Sequence, residues 1–387
     1  MLHLVEAAFA GVGRHVLDLV AHQAAEPGWQ VDVAYGTSRA DDPFLGSLET
    51  IDVAEVLTID GTAGVGPADV ATVRRLRRHV AERGIDVVHG HASKGGALAR
   101  LVAVGTGAKA VYTPNALITQ APQLGRVRHG VYRGIEMALA PLTDHLIHVS
   151  DAEAEHARAI GLRPRGSSVI PNGIDPLPLP TSDAARAALG LEPRGGANAD
   201  LVTIGFVGRL DEQKNLDLLL HAYAALRASG RAGGPAELPP TELVVIGDGP
   251  LRAQHEALAG RLSMPGPVRF LGKQPGAVSM PAFDVLALPS RYEGFPYVLL
   301  EAMAAGVPSV ATRPCAADRL FGDGRAGIIV EGDPDDPASA PPFAAALTEL
   351  VCDPCRRDAA SAAALEVSQR FTAAAMARQV AEVYAGL

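Results

Sequence analysis

The 387-residue chain contains few cysteines, few aromatic side chains and no long apolar run. Three cysteines cannot build a disulfide framework, and Cys352 and Cys355 supply only part of the ligand set that a structural zinc needs. No run of about 18 apolar residues is present, so we expect no transmembrane helix. The net charge of −9 argues against nucleic acid as a partner.

The amino terminus also lacks the features of a secretory signal. In MLHLVEAAFAGVGRHVLDLV no basic segment precedes the apolar residues, and their spacing predicts a strand, a glycine-containing loop and a helix. We therefore expect a cytoplasmic protein.

The chain is long enough for two domains, and 48% of its residues are hydrophobic. In residues 1–172 short apolar runs alternate with helical patterns, which predicts an α/β domain with a parallel, doubly wound, Rossmann-like sheet. The predicted strands are Leu2–Val5, Val31–Ala34, Asp86–His89, Lys109–Tyr112, Leu146–Val149 and Ser168–Ile170. The predicted helices lie near Arg14–Ala25, Ala68–Arg83, Gly95–Val104 and Asp151–Ile160.

A segment rich in Pro, Gly and Asp, residues 173–200, predicts a linker with room for a short helix. The alternation resumes over residues 201–370, which predicts a second Rossmann-like domain. Arg231–Pro240 predicts a surface loop, and residues 371–387 predict a helix that packs at the junction. The predicted strands of this half are Leu201–Phe206, Leu243–Ile246, Val268–Phe270, Val285–Leu288, Ser309–Ala311 and Ile328–Val330.

Two glutamates eight residues apart lie in the run SRYEGFPYVLLEAMAAGVPSVAT. Glu293 lies in a turn, and Glu301 lies in an apolar helical run that Gly306 and Pro308 end. A carboxylate among Leu, Met and Ala requires a fixed hydrogen-bond donor, because burying it unpaired costs on the order of several kcal/mol. The vicinal diol of a ribose or a hexose would supply one. Exposure of Glu301 at the rim of the helix is the alternative.

Two cations flank the start of the helix that follows the first strand of the second domain. In GFVGRLDEQKNLDLLL, Arg209 suits a bidentate clamp on a diphosphate, and Lys214 suits a point charge beside it. Solvated cations, or ion pairs with Asp211 and Glu212, are the alternative.

Glycine-containing turns follow several predicted strands and could bring backbone N–H groups close to a phosphate or a nucleobase. The first turn is not GxGxxG, so the dinucleotide fingerprint is missing, and purely structural turns would explain the same glycines. The residues of these turns are Gly11 and Gly13 in the first domain and Gly247, Gly249, Lys273 and Gln274 in the second.

Two polar side chains follow neighbouring predicted strands of the first domain. His91, in the run HGH, and Asn115, in the run YTPN, would both face a cleft between the domains and could contact a substrate. A single loop histidine is more often structural.

These motifs resemble those of the retaining GT-B glycosyltransferases of glycosyltransferase family 4, also called glycosyl transferases group 1. The resemblance covers nearly the whole chain, and its specific parts are the run from Glu293 to Glu301, GRLDEQKNLDLLL, VIPNGID and VIGDGPL. It implies two Rossmann-like domains that face each other across a cleft, the first binding the acceptor and the second the nucleotide sugar.

The resemblance also implies roles for individual residues. Arg209 and Lys214 would hold the diphosphate of the donor, Glu301 would bind the ribose hydroxyls, and Glu293 would contact the donor sugar. The implied catalytic set is Glu293, Arg209, Lys214, His91 and Asn115. The other implied donor-binding residues are Gly11, Gly13, Gly247, Gly249, Lys273, Gln274, Gly294, Phe295, Pro296 and Val298.

A nucleotide-diphosphate sugar would be the co-substrate, and no metal or other cofactor is expected, since cations and helix N-termini could neutralise the diphosphate. No carboxylate stands out as a nucleophile. We therefore expect a same-face reaction, in which the acceptor hydroxyl attacks as the nucleotide leaves. UDP is the expected carrier, with GDP, ADP and TDP as alternatives.

The chain departs from the family pattern at two places. Asn115 stands where many relatives have a histidine that contacts the donor sugar, and an amide cannot titrate. The run Arg313-Pro314-Cys315-Ala316 stands where relatives often show a pair of glycines.

Two basic segments of the first domain could dock on anionic lipid, at about 1 kcal/mol per well-placed cation. The family often works on lipid-linked or envelope sugars, so the sequence permits a hydroxyl acceptor of that kind and peripheral membrane contact without showing either. Ordinary solvated helix faces are the alternative. The segments are Ala116–Leu142, with Arg126, Arg128 and Arg133, and the cluster Arg74, Arg75, Arg77, Arg78 and His79.

Two other functions fit parts of the pattern. A sugar-nucleotide epimerase of GT-B architecture would bind the same ligand without an acceptor, and a non-catalytic nucleotide-sugar-binding partner would explain Asn115. The two glutamates together with GRLDEQKN favour the transferase.

Overall fold

The computed structural model describes residues 1–59, 66–176, 178–195, 200–231, 238–262, 264, 266–313, 317–321 and 324–387. Positions 232–237 of the predicted loop and positions 314–316, which include Cys315, lie outside this range. The chain divides into two compact units. The first consists of Met1–Ile174 with Thr372–Leu387, and the second is Asp175–Phe371.

The first unit is built on a parallel seven-stranded sheet with the order β3-β2-β1-β4-β5-β6-β7. Its strands are β1 Leu2–Val5, β2 Asp32–Gly36, β3 Glu55–Ile59, β4 Val87–His91, β5 Lys109–Thr113, β6 His145–His148 and β7 Gly166–Val169. Its helices are α1 Ala10–Ala24, α2 Asp42–Leu48, α3 Pro67–Arg83, α4 Ala92–Ala103, α5 Arg126–Leu139, α6 Asp151–Ala159 and α15 Ala373–Ala385.

The second unit is built on a parallel six-stranded sheet with the order β10-β9-β8-β11-β12-β13. Its strands are β8 Val202–Val207, β9 Thr241–Ile246, β10 Val268–Gly272, β11 Val285–Leu288, β12 Ser309–Thr312 and β13 Gly327–Val330. Its helices are α7 Ser182–Ala188, α8 Leu216–Arg231, α9 Arg252–Arg261, α10 Gly276–Ser279, α11 Tyr297–Ala304, α12 Ala317–Phe321, α13 Ala340–Cys352 and α14 Pro354–Ser368.

The predicted fold class, two Rossmann-like α/β domains, is confirmed. In each sheet the strands that begin the reversal of order lie side by side: β1 beside β4, and β8 beside β11. Such a switch point opens a crevice at the carboxyl ends of the strands, where ligands of doubly wound sheets bind. Among the described residues, every helix is too short or too polar to cross a bilayer.

Three elements of the first unit were missed from the sequence, namely β3, α2 and α5. In addition, the predicted glycine loop before the first helix is wrong. Helix α1 already begins at Ala10, which has a positive φ of 49°, so Gly11 and Gly13 lie in its first turns. Gly13 approaches the backbone closely there, because a Cβ atom on it would lie 3.1 Å from the carbonyl carbon of Ala8.

Candidate functional site

The switch point of the second sheet lies between β8 and β11. Leu286 of β11 pairs with Gly205 of β8, so the loops that follow the two strands leave the sheet at the same edge. The first loop carries Arg209 and Lys214, and the second carries Glu293. The fold therefore brings together residues that lie about eighty positions apart in the sequence.

Local hydrogen bonds shape the loop after β8. The carboxylate of Asp211 accepts the Lys214 N–H at 3.2 Å. Asn215 adopts the left-handed conformation, with φ 51°, and its buried side chain donates to the carbonyl of Pro334 at 2.8 Å. Asn tolerates this conformation better than most residues, so the turn is fixed just before α8 begins.

Backbone and side-chain bonds tie this loop to the one after β11. Arg291 N–H donates to the carbonyl of Gln213 at 2.8 Å, and Gln213 Nε2 donates to the carbonyl of Tyr292 at 3.0 Å. Between these bonds, the Nζ atom of Lys214 lies 2.5 Å from Oε1 of Glu293. The two predicted site residues therefore form an ion pair.

Glu293 is held by a second donor as well. Ser290 Oγ, fully buried, donates to the same Oε1 atom at 2.8 Å, and Thr312 Oγ1 donates to the carbonyl of Ser290 at 2.6 Å. Both bonds end on Oε1, and Oε2 has no hydrogen-bond partner among the described residues. Sequence reasoning missed Ser290, although its position three residues before Glu293, as in a capping box, is a usable signal.

Helix α11 presents the second glutamate. Pro296 is its N-cap, and Val298 and Glu301, three positions apart, lie on one face and are both half-buried. Glu301 Oε2 would lie 3.3 Å from a Cβ atom on Gly276, so the missing side chain of Gly276 leaves space for the carboxylate. The alternative of a Glu301 side chain exposed at the rim of the helix therefore does not hold in full, since the residue is half-buried.

The residues between the glutamates are buried. Gly294, Phe295 and Pro296 all lie inside the second unit, and the ring of Phe295 packs against Phe371 at 5.5 Å between centroids. These buried residues support the loop that carries Glu293.

Arg209 does not reach the ion pair. Its side chain is 57% exposed, and its Nε atom lies 3.5 Å from Oδ2 of Asp211. This is the ion pair that the sequence offered as the alternative to a diphosphate clamp.

The glycine turns of the second unit pack tightly on one another. Gly247, with φ 135°, donates its N–H to the carbonyl of Gly272 at 2.7 Å, and a Cβ atom on it would lie 1.8 Å from the carbonyl oxygen of Gly208. A Cβ atom on Gly249 would lie 2.3 Å from the carbonyl oxygen of Leu210. Glycine is therefore required at both positions to bring the loops after β8 and β9 together.

Lys273 and Gln274 follow β10 on the surface of the same edge. Both side chains are exposed, and Gln274 Nε2 donates to the carbonyl of Leu271 at 3.1 Å.

In the first unit the structure buries His91 completely. Its Nε2 atom lies 2.9 Å from Nδ1 of His3, and its ring lies 4.1 Å from that of His89 between centroids. Nearby, His15 Nδ1 lies 2.9 Å from Oδ1 of Asn172, and His89 Nδ1 lies 2.5 Å from the hydroxyl of Tyr384. His91 is thus part of a cluster of four imidazoles rather than a side chain at an open edge.

Burial keeps this histidine cluster neutral. It lowers the pKa of His3 to about 3 and that of His15 to about 4. The pKa values of His89 and His91 are also lowered well below the usual range, by burial first and by the neighbouring histidines second. Ligand atoms of His3, His89 and His91 lie within 4.8 Å of one another, but hydrogen bonds already occupy both nitrogens of His3 and of His89.

Asn115 lies two residues beyond the end of β5, in a left-handed conformation with φ 54°. Its Nδ2 atom is buried and has no hydrogen-bond partner among the described residues. Of the predicted first-unit residues, Asn115 and His91 each carry a buried side-chain nitrogen without a hydrogen-bond partner among the described residues, namely Nδ2 of Asn115 and Nδ1 of His91.

The paired switch points and the ion pair define a GT-B protein with two Rossmann-like domains. Two models of known protein families agree with this class. The model described as "Glycosyltransferase Family 4" matches residues 9–176, and the model described as "Glycosyl transferases group 1" matches residues 192–367. The chain belongs to the group 1 glycosyltransferases of family 4.

Two relatives illustrate the similarity. A phosphatidyl-myo-inositol mannosyltransferase of Mycolicibacterium smegmatis is 32% identical over 324 residues, which are 81% of this chain and 74% of that protein. A D-inositol 3-phosphate glycosyltransferase of Stackebrandtia nassauensis is 36% identical over 217 residues, 53% of this chain and 45% of that protein. The match therefore spans about half the length of the latter relative.

The fold is also shared with solved structures. Anabaena Alr3699/HepE, solved in complex with UDP and glucose, superposes with a TM-score of 0.79 at 21% identity, over 100% of both chains. At this identity the likeness supports the fold.

Proposed function

We propose that the protein transfers a sugar from a UDP-sugar to a hydroxyl acceptor, with retention of anomeric configuration and without a metal. The observation that carries the proposal is the Lys214–Glu293 ion pair at the switch point of the second sheet. The names of the relatives support glycosyl transfer, and the complex of Alr3699/HepE supports UDP as the carrier.

Each site residue has a part in this reaction. Lys214 stabilises the charge of the diphosphate, and Glu293 accepts a hydroxyl of the donor sugar at its unpaired Oε2 atom. Glu301, half-buried on α11, accepts the ribose hydroxyls. Arg209 exchanges Asp211 for the diphosphate, a change of low cost because exposed ion pairs contribute little.

The chemistry needs no protein nucleophile. The bond between the anomeric carbon and the diphosphate oxygen breaks as the acceptor oxygen bonds to that carbon on the same face. The acceptor proton passes to the leaving phosphate oxygen. The protein positions both substrates and stabilises the departing charge.

For the acceptor we propose a phosphorylated inositol, either free or as part of a lipid. The printed names of the two relatives carry this proposal, since one names D-inositol 3-phosphate and the other phosphatidyl-myo-inositol. Both compounds are assayed separately as acceptors. If neither compound accepted a sugar, the proposed acceptor class would be contradicted.

A thermal-shift titration with UDP, GDP, ADP and TDP tests the donor site. Stabilisation by UDP that is lost in Glu301→Ala is expected, because a ligand stabilises only the state that it binds. Stabilisation by another nucleotide would replace UDP as the carrier, and stabilisation by none would contradict the donor site. NMR of the product's anomeric proton then tests retention.

Helix α5 supports peripheral membrane contact. Only Glu136 is buried on this 14-residue helix, and Val127 and Val131, four positions apart, are 81% and 56% exposed. Cations beside an exposed apolar stripe suit the interface of an anionic bilayer. The cations of the helix are Arg126, Arg128 and Arg133.

The second predicted basic cluster is smaller than the sequence implied. His79 lies 2.8 Å from the buried carboxylate of Asp32, so it does not belong to the surface patch. Arg74, Arg75 and Arg78 remain exposed on α3.

Vesicle flotation tests the membrane proposal. The protein should float with phosphatidylglycerol vesicles and not with phosphatidylcholine vesicles, and Val127→Ser/Val131→Ser should weaken the binding. The matched control is Leu365→Ser, which removes an exposed apolar side chain from the second unit. Absence of the wild-type protein from the phosphatidylglycerol fraction would contradict the proposal.

A further inference from the structure

The loop after β5 contains two successive residues in left-handed backbone conformations. Asn115 has φ 54° and Ala116 has φ 93°. Asn adopts this conformation fairly readily, but Ala does so rarely, at a cost of about 1–3 kcal/mol. The surrounding structure must therefore hold the Ala116 peptide in place.

The carboxylate of Glu153 supplies that hold. Glu153 lies in the first turn of α6 and is fully buried. Its Oε1 atom accepts the Ala116 N–H at 2.8 Å, and its Oε2 atom accepts the Val149 N–H at 2.9 Å. Because β5 and β6 are neighbours in the sheet, this one side chain links the loops that follow two adjacent strands.

Helix α6 holds the same loop at a second point. His156, one turn further along the helix, has its Nε2 atom 2.8 Å from the hydroxyl of Thr119. The loop from Asn115 to Thr119 is thus anchored to α6 at both ends.

The surroundings of Glu153 destabilise an ionised carboxylate. Among the described residues its one ion-pair contact is His148, whose Nδ1 atom lies 4.0 Å from Oε2. Burial, with smaller effects of Arg158 and His145, lowers the pKa of His148 to about 4, so that ring is neutral near pH 7. The charge of Glu153 also acts on the buried hydroxyl of Tyr112 on β5, which donates to Glu136.

Backbone N–H groups therefore stabilise the ionised carboxylate of Glu153. Burial raises its pKa to about 7, and the N–H groups of Val149, Ala116 and Leu117 act in the opposite direction. A buried carboxylate without a cation lowers stability, so a gain in stability does not explain it. Groups held at such cost are concentrated at functional sites.

By fixing the turn, the hydrogen bonds of Glu153 also fix the direction of the Asn115 side chain. Its Nδ2 atom is buried and unpaired among the described residues, so it can donate to a ligand oxygen. We propose that Glu153 is a positioning residue, which fixes the Asn115–Ala116 turn so that the Asn115 carboxamide donates to a hydroxyl of the substrate. This inference rests on the proposed glycosyl transfer.

The first test observes the hold itself and needs no substrate. Hydrogen exchange of the Ala116 amide in the full-length protein should be at least about tenfold faster in Glu153→Gln, because an amide offers one acceptor where the carboxylate offers two. Glu155→Gln is the matched control, since Glu155 is exposed on the same helix. Equal Ala116 exchange in wild type and Glu153→Gln would overturn the proposal.

The second test measures transfer from the nucleotide sugar that the thermal-shift screen identifies. Glu153→Gln should lower kcat by about tenfold or more and leave the stabilisation by the nucleotide unchanged, because nucleotide binding belongs to the second unit. In the wild type kcat should fall as the pH decreases through about 7, and in Glu153→Gln this acid limb should flatten. A wild-type kcat and pH profile in Glu153→Gln would overturn the proposal.

Asn115→Gly, which removes the carboxamide but tolerates a φ of 54°, keeps the proposal falsifiable if Glu153→Gln does not fold. It should lower kcat to a similar extent with normal exchange at Ala116, and a wild-type kcat would overturn the role of the turn. If no nucleotide stabilised the wild-type protein, the proposed function would be contradicted. The role of Glu153 would then be decided by the hydrogen-exchange measurement alone.

Discussion

Lys214 Nζ lies 2.5 Å from Glu293 Oε1, although the two residues are 79 positions apart in the sequence. Their side chains are only 19% and 9% exposed, so water screens the pair weakly. Each partner is held by its own loop, and the pair joins the carboxyl ends of β8 and β11.

The ion pair should contribute measurably to stability. Lys214→Ala leaves Glu293 without its cation, so we expect a loss of about 1–3 kcal/mol in the free energy of unfolding. In a double-mutant cycle with Glu293→Ala, urea unfolding should give a coupling of about 1 kcal/mol or more. The exposed pair Arg325–Glu366 is the control, with an expected coupling of about 0.5 kcal/mol or less. Equal coupling in the two pairs would show that burial does not strengthen the first.

Substitution of the two glutamates should impair different properties, nucleotide binding in one case and turnover in the other. Glu301→Ala should weaken nucleotide binding, because it removes the proposed acceptor for the ribose hydroxyls. Glu293→Ala should mainly lower turnover with the sugar donor, by about tenfold or more, because its proposed partner is the sugar. Nucleotide titration and kcat measurements on both variants check the split. Wild-type transfer rates in both would show that the site is assigned wrongly.

Gly247→Ala should destabilise the second unit. The new Cβ atom would lie 1.8 Å from the carbonyl oxygen of Gly208, at a φ of 135° that L-residues rarely adopt. We expect a loss of roughly 2–4 kcal/mol. The control is Gly260→Ala on α9, where a Cβ atom would meet nothing within 4 Å and should stabilise the helix by about 0.5–1 kcal/mol. Equal urea midpoints for the two variants would contradict the close approach of the loops.

The histidine cluster should make the first unit sensitive to acid. The folded-state pKa is about 3 for His3 and about 4 for His15, well below their usual value of 6.5. As the pH falls below 6.5, the unfolded chain therefore binds protons that the folded state does not, and stability is lost through this range. Glu153 acts oppositely, since its raised pKa of about 7 makes the folded state bind its proton first.

Urea midpoints between pH 7.5 and 4.5 measure this acid effect. His15→Gln should reduce the dependence on pH, whereas the exposed control His221→Gln should not. An unchanged slope in His15→Gln would mean that His15 does not contribute.

The buried strands could be predicted almost to the residue. The predicted bounds of β1 and β11 match the structure, since each is a short apolar run that is buried along its whole length. The strand β3 gave no such signal, because it lies at the edge of the sheet and leaves Val56 47% exposed.

Helix α5 was not among the predicted helices. Val127, Val131 and Ile135 recur at a helical spacing of four, but Gly130 and Gly134 lie between them and lower the helix propensity of the segment.

The candidate site was predictable in its residue types but not in its contacts. Lys214 and Glu293 were both singled out, yet their pairing depends on the order of the strands, which the local sequence does not encode. The same holds for His91, which binds His3 across 88 positions and is therefore buried. A strand-end position alone did not distinguish that role from a contact with substrate.

The connection of α15 to the first unit constrains the order in which the protein can be completed on the ribosome. This helix follows the whole of Asp175–Phe371 in the chain, yet its Tyr384 hydroxyl binds His89, and its ring lies 6.0 Å from that of Trp29 between centroids. The second unit is one continuous stretch and can fold as soon as it emerges. The first unit begins earlier, but the part of its core that packs against Met376 and Val380 of α15 stays uncovered by this helix until about two hundred further residues have been synthesised.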